Sequence, residues 1–308
     1  MAVCLLTYKV SDLCLGKPPV RSLSAASATI ADAIAALKSS PEQTAVIGVW
    51  TSNTKCVGKV SMVDILCFLC KHHNLVSPSS ALNSPILSAV SPRRVRHVER
   101  SSSLLEAIDL IVYEDVQSLV VPITTKKSTA GGGGQEFCWL TQEDIIRFLL
   151  SSIAFFSPIS TLSIDVLGIV SGQFPIINYG ATASSAMAAV SRCLADQTSV
   201  AVVDDEGRLI GEISPSKLAF CDETVAAAAA TLSAGELMTY IDCVGASAAR
   251  MEMIACRPGS SMVAVMIQAI AHRVNYIWVI GGGAGAVVGI VTYANILKVF
   301  HRKLESMI

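Results

Sequence analysis

Four short segments join a hydroxyl residue to a polar side chain three positions later: Ser61 with Asp64, Thr141 with Asp144, Ser214 with Lys217, and Thr292 with Asn295. Each ends an apolar run of the kind that forms a buried strand, as in Gly289-Ile290-Val291-Thr292, and each opens a short helical pattern. A Ser or Thr at such a junction caps the helix by accepting a backbone N–H, and the positive end of the helix dipole favours an anion there. A carboxylate three residues on lies in the first turn, where its oxygens can accept hydrogen bonds from the two vicinal hydroxyls of a ribose. Hydroxyl and carboxylate together suit a nucleotide. The same Ser/Thr-x-x-Asp spacing is also a capping box, which finishes a helix end without any ligand.

The four segments are unequal. Asp64 and Asp144 carry a charge, whereas Asn295 offers a neutral acceptor, worth about 1 kcal/mol in a hydrogen bond against roughly 1.5 to 3 kcal/mol for a charged one. Lys217 only donates, which suits a phosphate better than a ribose. Cys138 stands where the other segments have Gly58, Gly211 and Gly289. Phosphate contacts need cations, and Arg94 and Arg96 of the run Arg93-Arg94-x-Arg96-His97 are the candidates, although a charge run more often faces water. Trp50, Trp139 and Trp278 fall on expected strands, where core packing is the default role.

A repeated unit positions these segments. The hydroxyls Ser61, Thr141, Ser214 and Thr292 are 80, 73 and 78 residues apart, so four copies fill nearly all of the 308 residues. A helix start precedes each copy at Thr29, Ser103, Ala183 and Ser261, which lie 32, 38, 31 and 31 residues before the motif hydroxyl. The second copy is longer because of a Lys- and Gly-rich insertion at 126–134, which belongs in a turn between strands. Each unit reads as strand, helix, strand, turn, strand, helix start. In the third copy these are 175–178, 184–194, 200–203, 204–207, 209–213 and a short helix.

Composition narrows the class. The chain is 52% hydrophobic and 15% charged, which excludes disorder and leaves either a membrane protein or one with unusually buried elements. The longest uncharged run, 274–297, is interrupted by Gly281, Gly282, Gly283 and Gly285, and so reads as strand, turn, strand rather than a bilayer span. The serine-rich stretch 148–164 reads as a linker. A net charge of −1 gives no bias towards nucleic acid. Ten scattered cysteines suggest a reducing compartment, the cytoplasm by default, and the opening residues are not expected to form a signal or Arg-rich transit peptide. Cys67 and Cys70 fall inside a helix pattern without a second ligand pair, so they read as buried thiols rather than a zinc or redox site. The five histidines form no metal spacing and no nucleophile–base arrangement, and no metal site or catalytic residue is expected.

The fourfold unit resembles the CBS domain, a β-α-β-β-α module that works in pairs called Bateman modules. The resemblance covers repeats at 10–72, 84–152, 162–222 and 233–302. Four copies are similar to the gamma subunit of AMP-activated protein kinases and, more closely, to plant CBS-only proteins of the CBSX type. The closer likeness lies in Val10-Ser11-Asp12-Leu13-Cys14-Leu15-Gly16-Lys17-Pro18 and the alanine-rich third junction. It implies an α+β fold of two tandem Bateman modules and a non-catalytic regulator with no required cofactor. It also implies an adenosine ligand such as AMP, ATP or S-adenosylmethionine, held by Ser61, Asp64, Thr141, Asp144, Thr292 and Asn295, with Arg94 and Arg96 near phosphate. A kinase complex or a thioredoxin-type regulator is the partner that the resemblance suggests, with no nucleic acid and no membrane span. The runner-up is a ligand-independent scaffold whose sites have decayed, and a membrane protein stands third. Whether the repeats close within one chain or pair across a homodimer stays open in the sequence.

Overall fold

The structure, a computed structural model, describes residues 7–40, 46–90, 94–114, 116–123, 135–244, 253–281 and 286–307. The insertion at 126–134, the glycine turn at 282–285 and Arg93 lie outside the described residues.

Four copies of one unit follow each other. The first has α1 (Val10–Leu13), β1 (Ser22–Ser24), α2 (Ile30–Lys38), β2 (Ile47–Ser52), β3 (Lys55–Val60) and α3 (Met62–Leu69), with α4 (His72–Val76) and α5 (Pro78–Leu82) in the connection. The second has β4 (Arg94–His97), α6 (Leu104–Tyr113), β5 (Val116–Ile123), β6 (Glu136–Thr141) and α7 (Gln142–Ser151). The third has β7 (Ile176–Asn178), α8 (Ala183–Asp196), β8 (Val200–Val203), β9 (Leu209–Ile213) and α9 (Pro215–Leu218), followed by α10 (Thr224–Ala229). The fourth has α11 (Ala234–Val244), β10 (Ala255–Cys256), α12 (Met262–Ala271), β11 (Tyr276–Gly281), β12 (Ala286–Thr292) and α13 (Tyr293–Glu305).

Each unit builds a three-stranded sheet whose first strand pairs parallel with the second and whose second pairs antiparallel with the third. The parallel step needs a crossover, which the helix supplies; the antiparallel step needs only a turn. The crossover helices start on Thr29, Ser103, Thr182 and Ser261, each accepting the N–H three residues on. The third cap is Thr182 rather than the Ala183 of the sequence spacing, because alanine has no side-chain oxygen to accept that N–H. The uncharged run 274–297 becomes β11, β12 and the first turn of α13, and Ile277, Trp278 and Val279 are wholly buried there. Among the described residues no helix is long and apolar enough to cross a membrane.

The first N–H groups of a helix have no partner within it. Here a segment from the neighbouring repeat meets that need, and the exchange is reciprocal. Ile30 donates to the Ser84 carbonyl at 3.0 Å, and Leu104 to that of Tyr8 at 3.1 Å. Ala183 donates to the Leu232 carbonyl at 2.9 Å, and Met262 to that of Leu162 at 3.0 Å. The segment leading into the first repeat therefore lies on the second and the reverse, and the third and fourth trade in the same way.

The exchanged segments explain the motif glycines. A Cβ at Gly289 would stand 2.4 Å from Val170 Cγ1 and 2.8 Å from the Ser171 carbonyl oxygen, where the incoming segment bridges to Ile290. Gly289→Ala forces that backbone away, and we expect it to cost about 1 to 3 kcal/mol, read as a lowered midpoint in chemical denaturation. A midpoint unchanged from wild type contradicts the close approach.

The repeats pack in two ways. Sheets pair the first repeat with the second, where Trp50 lies 5.0 Å from Phe137 between ring centroids and Lys59 Nζ donates to Ser118 Oγ at 2.7 Å. They also pair the third with the fourth, where Tyr276 Oη and Trp278 Nε1 both donate to Glu212 Oε2, at 2.9 and 2.7 Å. Helices join the pairs crosswise. One continuous core unites the first and third repeats through α3 and α8, and another unites the second and fourth through α6, α7, α12 and α13. All four repeats thus close on one another within a single chain as two tandem Bateman modules.

Candidate functional site

The four motifs sit where β3, β6, β9 and β12 run into α3, α7, α9 and α13. Ser61 donates to Asp64 Oδ2 through N–H at 2.8 Å and through Oγ at 2.6 Å. Thr141 donates to Asp144 Oδ2 from both groups at 2.7 Å, and Thr292 to Asn295 Oδ1 at 3.0 and 2.7 Å. The three side chains thus finish their own helices as capping boxes.

They differ in what remains. Asp64 is 3% exposed, so its carboxylate is committed to the protein interior. Asp144 keeps 23% of its side chain exposed, and Lys17 Nζ reaches its Oδ2 at 2.6 Å. Three contacts therefore converge on one oxygen of Asp144. In the third repeat Ser214 Oγ accepts from Lys217 N–H, and Lys217 Nζ pairs with Asp242 of α11 at 2.8 Å, so that lysine is engaged within the protein and not held out for a phosphate.

Crosswise helix packing divides the candidate residues into two groups. Thr141 and Asp144 share a layer with Thr292 and Asn295, because α7 packs on α13. Tyr293, beside Thr292, is almost wholly buried, and its hydroxyl has no hydrogen-bond partner among the described residues. Burial first, and then Glu143, pushes that hydroxyl well above the ordinary tyrosine range, while Arg147 opposes. Ser61 and Asp64 lie in the other layer, with the third motif, because α3 packs on α9.

Of the cationic run, the described side chains of Arg96 and His97 make their contacts away from the motifs. Arg96 forms a surface ion pair with Glu114 at 2.9 Å, as a solvated strand edge does. Arg94 contributes its backbone to β4, and its side chain lies outside the described residues. His97 accepts the Cys56 N–H at Nε2 and packs its ring against Trp50 and Phe137. Cys67 and Cys70 are buried at the end of α3, and burial pushes the Cys70 thiol up to about 12.

Several polar residues that tie the repeats together were not foreseen from the sequence. Lys59 and Glu212 hold the same motif position and cross their modules to equivalent partners, since Ser118 lies opposite Thr141 and Tyr276 opposite Thr292. The corresponding residues of the second and fourth repeats are Trp139 and Ile290, so a charge in odd copies against an apolar residue in even ones is the legible signal. His301 of α13 is buried against Asp109 of α6, with Nδ1 3.2 Å from the Tyr113 hydroxyl. Lys17 reaches the second motif from outside its repeat, which no spacing indicates.

No protein-family model matches the chain. Across 99% of its length and 100% of the relative's it is 43% identical to the CBS domain-containing protein CBSX5 of Arabidopsis thaliana. To CBSX6 of the same plant it is 25% identical, across 100% of its length and 96% of the relative's. Among solved structures its fold is similar to that of protein MJ1225 from Methanocaldococcus jannaschii, a candidate archaeal homolog of g-AMPK. The TM-score is 0.67 at 18% identity, over 95% of this chain and 100% of that one.

Proposed function

The chain belongs to the plant CBSX family of CBS domain-containing proteins, and from that premise we propose that it is a non-catalytic regulator that takes up an adenosine-containing nucleotide and modulates a protein partner. Asp144 carries the proposal. It is the motif carboxylate that combines charge, a helix N-terminus and an accessible face, and its other contacts gather on Oδ2, so Oδ1 is the oxygen for ribose hydroxyls. Thr141 fixes the carboxylate by donating to it. Thr292 and Asn295, in the same layer, mark a second and weaker acceptor position. Ser61 and Asp64 serve chiefly as a helix cap.

Ligand held at the start of α7 would bias how α7 packs on α12 and α13, one of the two contacts that join the two Bateman modules. A partner that binds one mutual arrangement better would then sense occupancy. A kinase complex or a thioredoxin-type regulator is the partner class consistent with the family. A ligand-independent scaffold is favoured by two observations, the burial of Asp64 and the pairing of Lys217 with Asp242, which consume two of the four motifs internally.

Titration calorimetry with AMP, ATP and S-adenosylmethionine on the full chain separates the two. Saturable binding of at least one of them is expected. No heat with any, from a chain that unfolds cooperatively, establishes the scaffold instead.

A further inference from the structure

The segment that leads into the first repeat is tied to the second on either side of the Asp144 motif. The Val10 and Ser11 amides donate to the Ser102 and Arg100 carbonyls at 2.9 and 3.1 Å, and the Val20 amide donates to the Phe137 carbonyl at 2.7 Å. Between these anchors α1 packs on α7 and β5, and the chain then turns back through Gly16 at φ +76°, a left-handed conformation that glycine adopts readily. The turn leaves Leu15 79% exposed and returns Lys17 to the motif, where its Nζ stands 2.6 Å from Asp144 Oδ2.

The third motif repeats this contact with the charges reversed. There the residue three positions after the cap hydroxyl is a cation, Lys217, and the exchanged segment, α11, brings the carboxylate of Asp242 to 2.8 Å from it. In the fourth motif the position is the neutral Asn295. In the second and third repeats, then, the segment that arrives from the module partner carries the charge opposite to the motif's own. The contact of Lys17 with Asp144 belongs to that pattern and is not an incidental surface pair.

We propose that Lys17 is a specificity-determining residue of the Asp144 position, which cancels the charge of the carboxylate and thereby selects a phosphorylated adenosine over one that carries a sulfonium. The proposal rests on the reading that Asp144 holds the ribose. A carboxylate standing alone attracts a cation and repels a phosphate, and the 5′ substituent of a nucleoside lies one sugar ring away from the hydroxyls that the carboxylate would hold. With an ammonium on Oδ2 the pair has no net charge, so the attraction for a sulfonium and the repulsion of a phosphate both fall away. An ammonium also has three N–H donors, so Lys17 can donate to a phosphate oxygen while it keeps Asp144. The two side chains are 22% and 23% exposed, which lets a ligand reach both, and solvent screening at that exposure holds the selection to about one order of magnitude.

The test titrates AMP, adenosine, S-adenosylmethionine and its uncharged thioether analogue S-adenosylhomocysteine into the full wild-type chain, Lys17→Met and Lys17→Arg, each first shown to unfold cooperatively. The four ligands share one nucleoside and differ at the 5′ carbon. Methionine keeps an unbranched stem without the charge, and arginine keeps the charge. Wild type is expected to prefer AMP to S-adenosylmethionine. In Lys17→Met the affinity for AMP falls by about three- to tenfold and that for S-adenosylmethionine rises by a similar factor, while adenosine and S-adenosylhomocysteine stay within about twofold. Lys17→Arg keeps the wild-type order. A lysine with a merely structural role cannot move two ligands of one nucleoside in opposite directions. If AMP and S-adenosylmethionine move together in Lys17→Met, or do not move, the selection by Lys17 is overturned and the nucleotide reading stands. If wild type binds none of the four, the nucleotide reading falls and this proposal falls with it.

Discussion

Asp144→Ala lowers the affinity for an adenosine nucleotide by about 10- to 100-fold, because hydrogen bonds from ribose hydroxyls to a carboxylate contribute roughly 1.5 to 3 kcal/mol. Asp64→Ala, made in the same sequence motif, leaves affinity within about twofold and lowers the unfolding temperature instead. The difference follows from placement. Asp64 spends its carboxylate in a buried box with Ser61, so its loss is that of a helix cap, about 0.5 to 2 kcal/mol. Asp144 makes the same box but keeps an exposed face beside the start of α7. Calorimetry with the wild-type ligand on both variants, and thermal unfolding of both, measure the two effects separately. Equal binding by wild type and Asp144→Ala removes the site from this residue. A loss confined to Asp64→Ala would move it to the layer of the first and third repeats.

Glu212→Ala is expected to destabilise the chain by about 2 to 4 kcal/mol, the largest stability effect of any single change considered. Glu212 is 4% exposed and receives two buried donors from the fourth repeat, Tyr276 Oη and Trp278 Nε1. Truncating it leaves both unpaired, at roughly 1 to 3 kcal/mol each, partly offset by no longer burying a charge. Burial first, and then the Glu212 charge, hold the Tyr276 hydroxyl well above its ordinary range, so the phenol remains a donor throughout the accessible pH range. Glu212→Gln retains an acceptor and should recover most of the loss. Denaturant midpoints for wild type, Ala and Gln check this order. A Gln variant as unstable as the Ala variant would show that the charge, and not the acceptor, holds the third and fourth repeats together.

Much of the fold was legible because it is local. Ser and Thr caps, alternation within strands and the spacing of Ser61, Thr141, Ser214 and Thr292 depend on residues a few positions apart, and they placed the crossover helix and the motif strand of each repeat, though not α4, α5 or α10, nor the end of α7, which runs into the expected linker 148–164. The third repeat follows its expected bounds closely, with β8 at Val200–Val203 and β9 at Leu209–Ile213. The motif chemistry was legible to the same depth: the capping boxes at Asp64, Asp144 and Asn295 are what the spacing predicts.

What separated Asp64 from Asp144 was not local. Equivalent motifs differ in exposure, and α3 packs into the layer of the first and third repeats while α7 packs into that of the second and fourth; no periodicity specifies which helix faces which. The cysteine at 138 is the sharpest case. In the sequence it is a departure from glycine that weakens the second motif. In the structure it is wholly buried, beside the point where Val20, from a segment of another repeat, donates its N–H to the Phe137 carbonyl. The sequence by itself determined the repeat, its elements and the residues that cap them, since those obey short-range hydrogen bonding and burial patterns. Only the tertiary structure decided which segments trade places, which repeats share a core and which carboxylate keeps an open face. Those outcomes are set by contacts between residues scores of positions apart, which only the packed chain brings together.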